Sequence, residues 1–375
     1  MILTRTPFRI SFFGGGTDYH TWYQEHGGAV LSTTINHYCN IFASFRAPFF
    51  DTKHRFVWSK IEEINDFNDI QHPAIRAVMQ YMDVKRGVEI HHKGDLPGRS
   101  GLASSSAFTV GLIHAVHALR GRMCTDHELA CEAIHVERDL LKENVGVQDQ
   151  IATAYGGFNK ITIHPDCTFA VDRLTTTDRI RQLNDHLLLF FTGVSRTAST
   201  IAGDKMKNMA DKARQLHTMR DMVDEAVGIL NGNGDITDFG RLLHETWMLK
   251  KQLASSVSTD FIDDIYQRAM KSGALGGKIL GAGGGGFILF FAKPEDHPKL
   301  LEALSDLLLI PFAFENRGSH VALYEPNQFS ETSLMRQDFA HLKNNRNVDN
   351  LTELAFPDDD RHYRSRKVTK IPLMQ

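Results

Sequence analysis

Leu96-Pro97-Gly98-Arg99-Ser100-Gly101-Leu102-Ala103-Ser104-Ser105-Ser106-Ala107 decides how the rest of the chain is read. Pro97, Gly98 and Gly101 break regular structure, so residues 95–101 read as a loop. From Ser104 the pattern changes. Phe108, Leu112, Ala115 and Leu119 recur at the helical period and predict a helix over 104–119. Small residues let a backbone approach a ligand closely, and the free N–H groups and dipole at a helix start favour an anion. One serine suffices as a cap, so three in a row are in excess, and their hydroxyls can bond phosphate oxygens or a metal ion. The stretch is not a P-loop. G-x-x-x-x-G-K-[ST] occurs nowhere, and Gly277-Lys278 is followed by Ile279.

Upstream, Ile2 to Phe13 reads as a strand ending in the flexible turn Gly14-Gly15-Gly16-Thr17-Asp18. Strands are also predicted over 29–46 and 87–92, with a helix over 72–82 between them. Downstream, Thr125 and Glu128 form a capping-box pattern that opens a helix expected to run to Lys142. A short helix is predicted over 148–155, then strands over 158–163 and 186–192 and a long helical segment over 199–230. Helices over 239–253, 260–272 and 294–308 and strands over 276–281, 287–292 and 321–324 complete the pattern. The mixture predicts an α+β protein of two domains, 1–185 and 186–325, followed by a polar extension, 326–375.

Gly281-Ala282-Gly283-Gly284-Gly285-Gly286 formally fits G-x-G-x-x-G, but the apolar run Phe287 to Phe291 that follows is a strand. A dinucleotide fingerprint needs a helix there, so that reading fails on context. A strand–loop–strand rich in glycine remains, and ordering such a loop costs enough entropy to favour a functional reading. Glu137 and Asp149 lie twelve residues apart, one at the end of a helix and one at the start of the next. They can converge, one to hold Mg²⁺ and the other to take a proton from a hydroxyl. Arg9 adds a cation near the N-terminal turn. His127-Glu128-Leu129-Ala130-Cys131 lacks the second histidine of H-E-x-x-H, and G-x-S-x-G is absent, which argues against a zinc site and a serine hydrolase.

With 42 Lys and Arg against 45 Asp and Glu, the net charge of −3 offers no field for nucleic acid. Hydrophobic residues at 42% exclude a disordered chain. Four cysteines with no C-x-x-C spacing fit a reducing compartment, and no apolar run is long enough to span a bilayer. A cytoplasmic location is expected, with no membrane or nucleic-acid partner.

Three of these features together resemble the GHMP kinases, the superfamily of galactokinase, homoserine kinase, mevalonate kinase and phosphomevalonate kinase. They are the N-terminal strand and turn, the Pro97–Ser106 loop and the late glycine loop, in the family's order over roughly residues 1–325. The resemblance implies a ribosomal S5 domain 2-like N-terminal domain and a ferredoxin-like C-terminal domain. It implies an ATP- and Mg²⁺-dependent kinase acting on a sugar or sugar phosphate, with room for a homodimer.

In that reading Pro97, Gly98, Ser100, Gly101, Leu102, Ala103, Ser104, Ser105 and Ser106 wrap the ATP phosphates. Ser105 and Glu137 hold the metal, Asp149 is the catalytic base and Arg9 assists it. Gly15, Gly16, Thr17, Asp18, Arg196, Gly283 and Gly284 face the acceptor. Ala103 stands where the family usually carries glycine and Ser106 where it carries alanine, while Gly15-Gly16 replace the Glu-His of galactokinases. Arg9 to Asp18 and Phe191 to Ala198 are most similar to the bacterial heptose-phosphate kinases, which implies transfer to the anomeric hydroxyl of D-glycero-D-manno-heptose 7-phosphate. A fucose-like or uronic acid acceptor is the alternative.

Overall fold

The computed structural model describes residues 1–47, 50–175, 178–193 and 212–325. Arg196 and the extension 326–375 lie outside the described residues, as does the first part of the helix expected over 199–230.

The first half builds one large sheet. β1 (Ile2–Phe13) pairs antiparallel along its length with β2 (Gly28–Phe45), joined through the short helix α1 (His20–His26). β2 is a single strand of 18 residues that serves two neighbours. Its second half pairs with β5 (Val88–Gly94), and its first half with β6 (Phe158–Ile163). β3 (His54–Val57) and β4 (Ile61–Ile64) extend the sheet beyond β5, and β7 (Phe169–Arg173) extends it beyond β6. The pairing of β3 with β5 is parallel.

Helices α2 (Pro73–Tyr81), α3 (Ser104–Leu119), α4 (Asp126–Ile134) and α5 (Gln148–Tyr155) accompany this sheet. α3 begins and ends where the sequence predicts, and it is buried on every side from Ser106 to Ala118, so it is a core helix rather than an amphipathic cover. The Thr125–Glu128 capping box is present. The helix it opens does not continue in α form to Lys142. It passes into a π-helical turn, His135–Leu140, which carries Glu137. Such turns insert one extra residue and re-aim a side chain, frequently at functional sites.

The second half builds a four-stranded antiparallel sheet in the order β11-β8-β10-β9. Its strands are β8 (Leu187–Phe191), β9 (Ala274–Ile279), β10 (Phe287–Ala292) and β11 (Leu308–Ile310). Around it lie α6 (Asp178–Asp185), α7 (Ala213–Asn231), α8 (Thr237–Leu253), α9 (Asp260–Lys271) and α10 (His297–Ala303). The helix predicted over 294–308 is shorter than expected, because Leu308-Leu309-Ile310 leaves it to pair with β8. The chain then returns to the first sheet. β12 (Phe314–Glu315) pairs with β2, and β13 (His320–Tyr324) pairs with β1. One apolar core runs through both halves, with the Phe239 ring 5.4 Å from Phe12 and 5.1 Å from Phe13. No helix among the described residues is long and apolar enough to cross a membrane.

Candidate active site

The Pro97–Ala103 loop is shaped by left-handed backbone at Arg99 (φ 58°), Gly101 (φ 89°) and Ala103 (φ 62°). Ala103 is the N-cap of α3, so the helix starts from a conformation that favours glycine. Ser104 Oγ accepts from the Arg99 N–H at 3.1 Å, and Ser100 Oγ donates to Pro97 O at 2.6 Å. These bonds hold the loop in a tight turn before the open N–H groups of the first helical turn.

The late glycine loop packs against this turn, backbone to backbone. The Phe287 N–H donates to Ser100 O at 3.2 Å. A Cβ on Gly286 would overlap that same carbonyl, and one on Gly281 would press on Gly101 Cα. The glycines are therefore required by the close approach of two loops that come from different sheets.

Arg9 and Asp149 form the most definite contact of the site. Arg9 Nε donates to Asp149 Oδ1 at 2.8 Å and Nη2 to Oδ2 at 2.9 Å, a bidentate pair. The third arm, Nη1, donates to Gly101 O at 2.8 Å. Arg9 is buried, whereas the Asp149 side chain keeps 27% of its surface open. Asp149 stands in the first turn of α5 and lines a cavity with Arg9, Asp18, Gly101, Ser105 and Gly281.

Glu137 does not line that cavity. It lies behind the start of α3, where its carboxylate accepts from Ser106 Oγ and Thr109 Oγ1, both at 2.8 Å, and from Gln150 Nε2. Burial pushes its carboxyl up to about 7, against the pull of the Ser106 and Thr109 hydroxyls. Among the described residues no Lys, Arg or His pairs with it. A buried carboxyl without a counter-charge fits a cation. No cluster of three His, Cys, Asp or Glu among the described residues could close around a metal ion. A cation here would draw its further ligands from phosphate and water, as Mg²⁺ does.

Asp18 is almost fully buried at the edge of the cavity, with Oδ1 accepting from the Gly16 N–H at 2.9 Å. Burial pushes its carboxyl up; the Gly16 N–H pulls the other way, and the charge of Asp149 adds to the rise. Gly15 and Gly16 line the cavity beside it. Gly15 is glycine for neither backbone nor packing reasons. Its φ is not left-handed, and a Cβ there would meet nothing closer than Ser11 Oγ at 3.8 Å.

The remaining candidates divide. Ala103, Ser104 and Ser105 line the cavity, whereas Leu102 is core and Ser100 and Ser106 are buried in the bonds described above. Pro97 and Gly98 lie outside the lining. Thr17 is structural, its hydroxyl donating to Gly14 O and Ala29 O. Gly281 and Ala282 line the cavity, but Gly283 and Gly284 do not, and the Gly284 N–H donates to Val257 O at 2.9 Å.

Lys250 and Lys278 also line the cavity, and neither is a candidate from the sequence. Both are buried, and Lys278 Nζ donates to Phe12 O at 2.6 Å. A signal existed for Lys250. It falls on the buried stripe of α8 with Leu243, Thr246, Trp247 and Leu253, where an unpaired face would carry an apolar residue.

Comparison with known proteins gives the class. The GHMP kinases N terminal domain pattern matches residues 69–157, and the GHMP kinases C terminal pattern matches residues 225–308. The chain is 30% identical over 320 residues to D-glycero-alpha-D-manno-heptose 7-phosphate kinase of Campylobacter jejuni, covering 81% of this chain and 93% of that one. It is 26% identical over 347 residues to the L-fucokinase/L-fucose-1-P guanylyltransferase of Bacteroides fragilis, covering 80% of this chain but 36% of that larger protein. The crystal structure of a D-glycero-D-manno-heptose 1-phosphate kinase from Bacteroides thetaiotaomicron superposes with a TM-score of 0.71 at 23% identity, covering 87% of this chain and all of that one. The chain belongs to the GHMP kinases. It is an ATP-dependent sugar kinase.

Proposed function

We propose that the acceptor is D-glycero-D-manno-heptose 7-phosphate and that its anomeric hydroxyl is phosphorylated to give the 1,7-bisphosphate, a step toward a nucleotide sugar. The observation that carries this reading is the match to the Campylobacter jejuni enzyme along 93% of its length. The open space at Gly15, which no backbone constraint explains, supports an acceptor bulkier than galactose.

In the mechanism, the acceptor oxygen attacks the γ-phosphorus in line. The new O–P bond forms as the bond to the β–γ bridging oxygen breaks, and ADP leaves with that electron pair. Asp149 takes the hydroxyl proton, and Arg9 orients its carboxylate. The loop from Pro97 to Ser106 and the first turn of α3 offer N–H groups to the phosphates. Ser105 and Glu137 would hold Mg²⁺, which when bound neutralises charge on the β- and γ-phosphates. Gly15, Gly16 and Asp18 face the acceptor.

A second reading, a fucose-like acceptor, draws on the fucokinase relative. A panel with ATP and Mg²⁺ that includes heptose 7-phosphate, L-fucose, galactose and a uronic acid separates the two. The proposal expects kcat/KM for heptose 7-phosphate to exceed the others by at least about 100-fold, with phosphorus NMR placing the new phosphate on C1. A preference for fucose, or phosphate on another carbon, overturns it.

A further inference from the structure

We propose that Lys250 is a second cation of the reaction centre, placed to hold negative charge on the phosphoryl group in transit. This rests on the assignment of Arg9 and Asp149 as that centre. Lys250 reaches the cavity from α8, and its Nζ donates to Ile279 O at 2.7 Å and to Gly281 O at 2.8 Å. Gly281 abuts Gly101, whose carbonyl accepts from Arg9. The ammonium and the guanidinium therefore grip the same junction of two glycine loops, one from each sheet. Arg9, Asp149, Lys250 and both loops line one cavity, so with Asp149 as the base the transfer would take place against that junction.

A role limited to bridging two carbonyls does not account for the choice of lysine. Burying an ammonium costs several kcal/mol that an amide or hydroxyl donor would avoid. Charge is the property that sets lysine apart, and the cavity wall is consistent with its use. With the Arg9–Asp149 pair set aside, three cations, Arg99, Lys250 and Lys278, line it against two carboxyls, Asp18 and Glu143. A positive excess in a partly dry site favours a polyphosphate and the charge that spreads over the moving phosphoryl oxygens. Lys250 exchanges neither proton nor electrons in the step. The hydroxyl proton still goes to Asp149 and the leaving electron pair to ADP.

The test compares Lys250→Gln, Lys250→Met and Lys250→Arg, with ATP affinity by calorimetry and the melting temperature of each variant. Lys250→Gln keeps a donor for the carbonyls and removes the charge. The proposal expects its kcat to fall about 100-fold or more, with ATP affinity within about threefold of wild type. Wild-type kcat in Lys250→Gln would overturn it, because the carbonyl bridge alone would then suffice. If Lys250→Gln does not fold, Lys250→Arg keeping at least about a tenth of kcat while Lys250→Met loses about 100-fold supports the proposal, and equal loss in both overturns it. Each variant is also assayed with paired sugars bearing and lacking a terminal phosphate. A defect confined to KM for the phosphorylated sugar would mean that Lys250 holds the acceptor's own phosphate, which overturns the proposal. Asp149→Asn is run alongside, and full turnover there would show that the centre itself is misassigned, a separate failure.

Discussion

Arg9 holds Asp149 by both carboxylate oxygens and, with the same guanidinium, the carbonyl of Gly101. The side chain assigned as base and the loop assigned to the nucleotide are thereby set against one rigid group on β1. Arg9→Lys keeps the charge but cannot make the fork, so it is expected to lower kcat by about 10-fold or more. Arg9→Met should lower it by about 100-fold or more, with the acceptor KM changed less than kcat. Steady-state kinetics on both variants checks the order wild type, then Lys, then Met.

Glu137 makes stability depend on pH. Its folded pKa is raised to about 7 from an ordinary 4.5, so the folded state binds the proton more tightly than the unfolded chain does. The protein without metal or nucleotide is therefore expected to lose stability as pH rises from about 4.5 to about 7, by on the order of a few kcal/mol in total. Below that window both states are protonated and the effect is absent. Glu137→Gln should flatten this part of the profile of melting temperature against pH. Adding Mg²⁺ with a nucleotide should restore stability at the upper end in the wild type and not in the variant.

Ala103 stands in left-handed backbone at the start of α3. Ala103→Gly relieves a conformational cost of about 1–2 kcal/mol and adds back part of it as unfolded-chain entropy. The expected gain is about 0.5–1 kcal/mol, a rise in melting temperature of about 1–3 °C. Ala103→Val places a β-branched residue there and should unfold the first turn, with loss of ATP binding. Thermal melts and calorimetry with ATP test both.

Gly146 has no room for a side chain, because a Cβ would collide with the Asp18 carboxylate. Gly146→Ala should push Asp18 out of place. The acceptor KM is expected to rise by about 10-fold or more while ATP affinity holds. Equal losses in both affinities would mean that the substitution disturbs the whole cavity.

The sequence was most legible where one local signal dominates. The apolar period of residues 104–119 and the Thr125–Glu128 box define α3 and the start of α4 as observed. The context of the late glycine loop, strand rather than helix after it, also holds. What escaped depends on partners distant in the chain. The π turn at 135–140 is settled by how Glu137 meets Ser106, Thr109 and Gln150, none of which is its sequence neighbour. The helix expected over 294–308 runs past its true end to Leu308, the first residue of β11, because the partner of that strand, β8, lies more than a hundred residues earlier. The short β3–β4 hairpin, His54-Arg55-Phe56-Val57 and Ile61-Glu62-Glu63-Ile64, sets like residues side by side and so offers no apolar alternation to read. Lys278 reads as an ordinary polar residue because burial of a charge becomes visible only when the fold is known, whereas Lys250 is marked in the sequence only by its place among the apolar residues of α8.

Asp149 is central as the group proposed to receive the acceptor's proton. The direct measurement is kcat of Asp149→Asn with ATP, Mg²⁺ and heptose 7-phosphate, alongside calorimetric binding of ATP. Asparagine is close in shape but cannot take the proton, so kcat is expected to fall by about 1,000-fold or more with ATP affinity retained. Turnover within a few-fold of wild type would contradict the account.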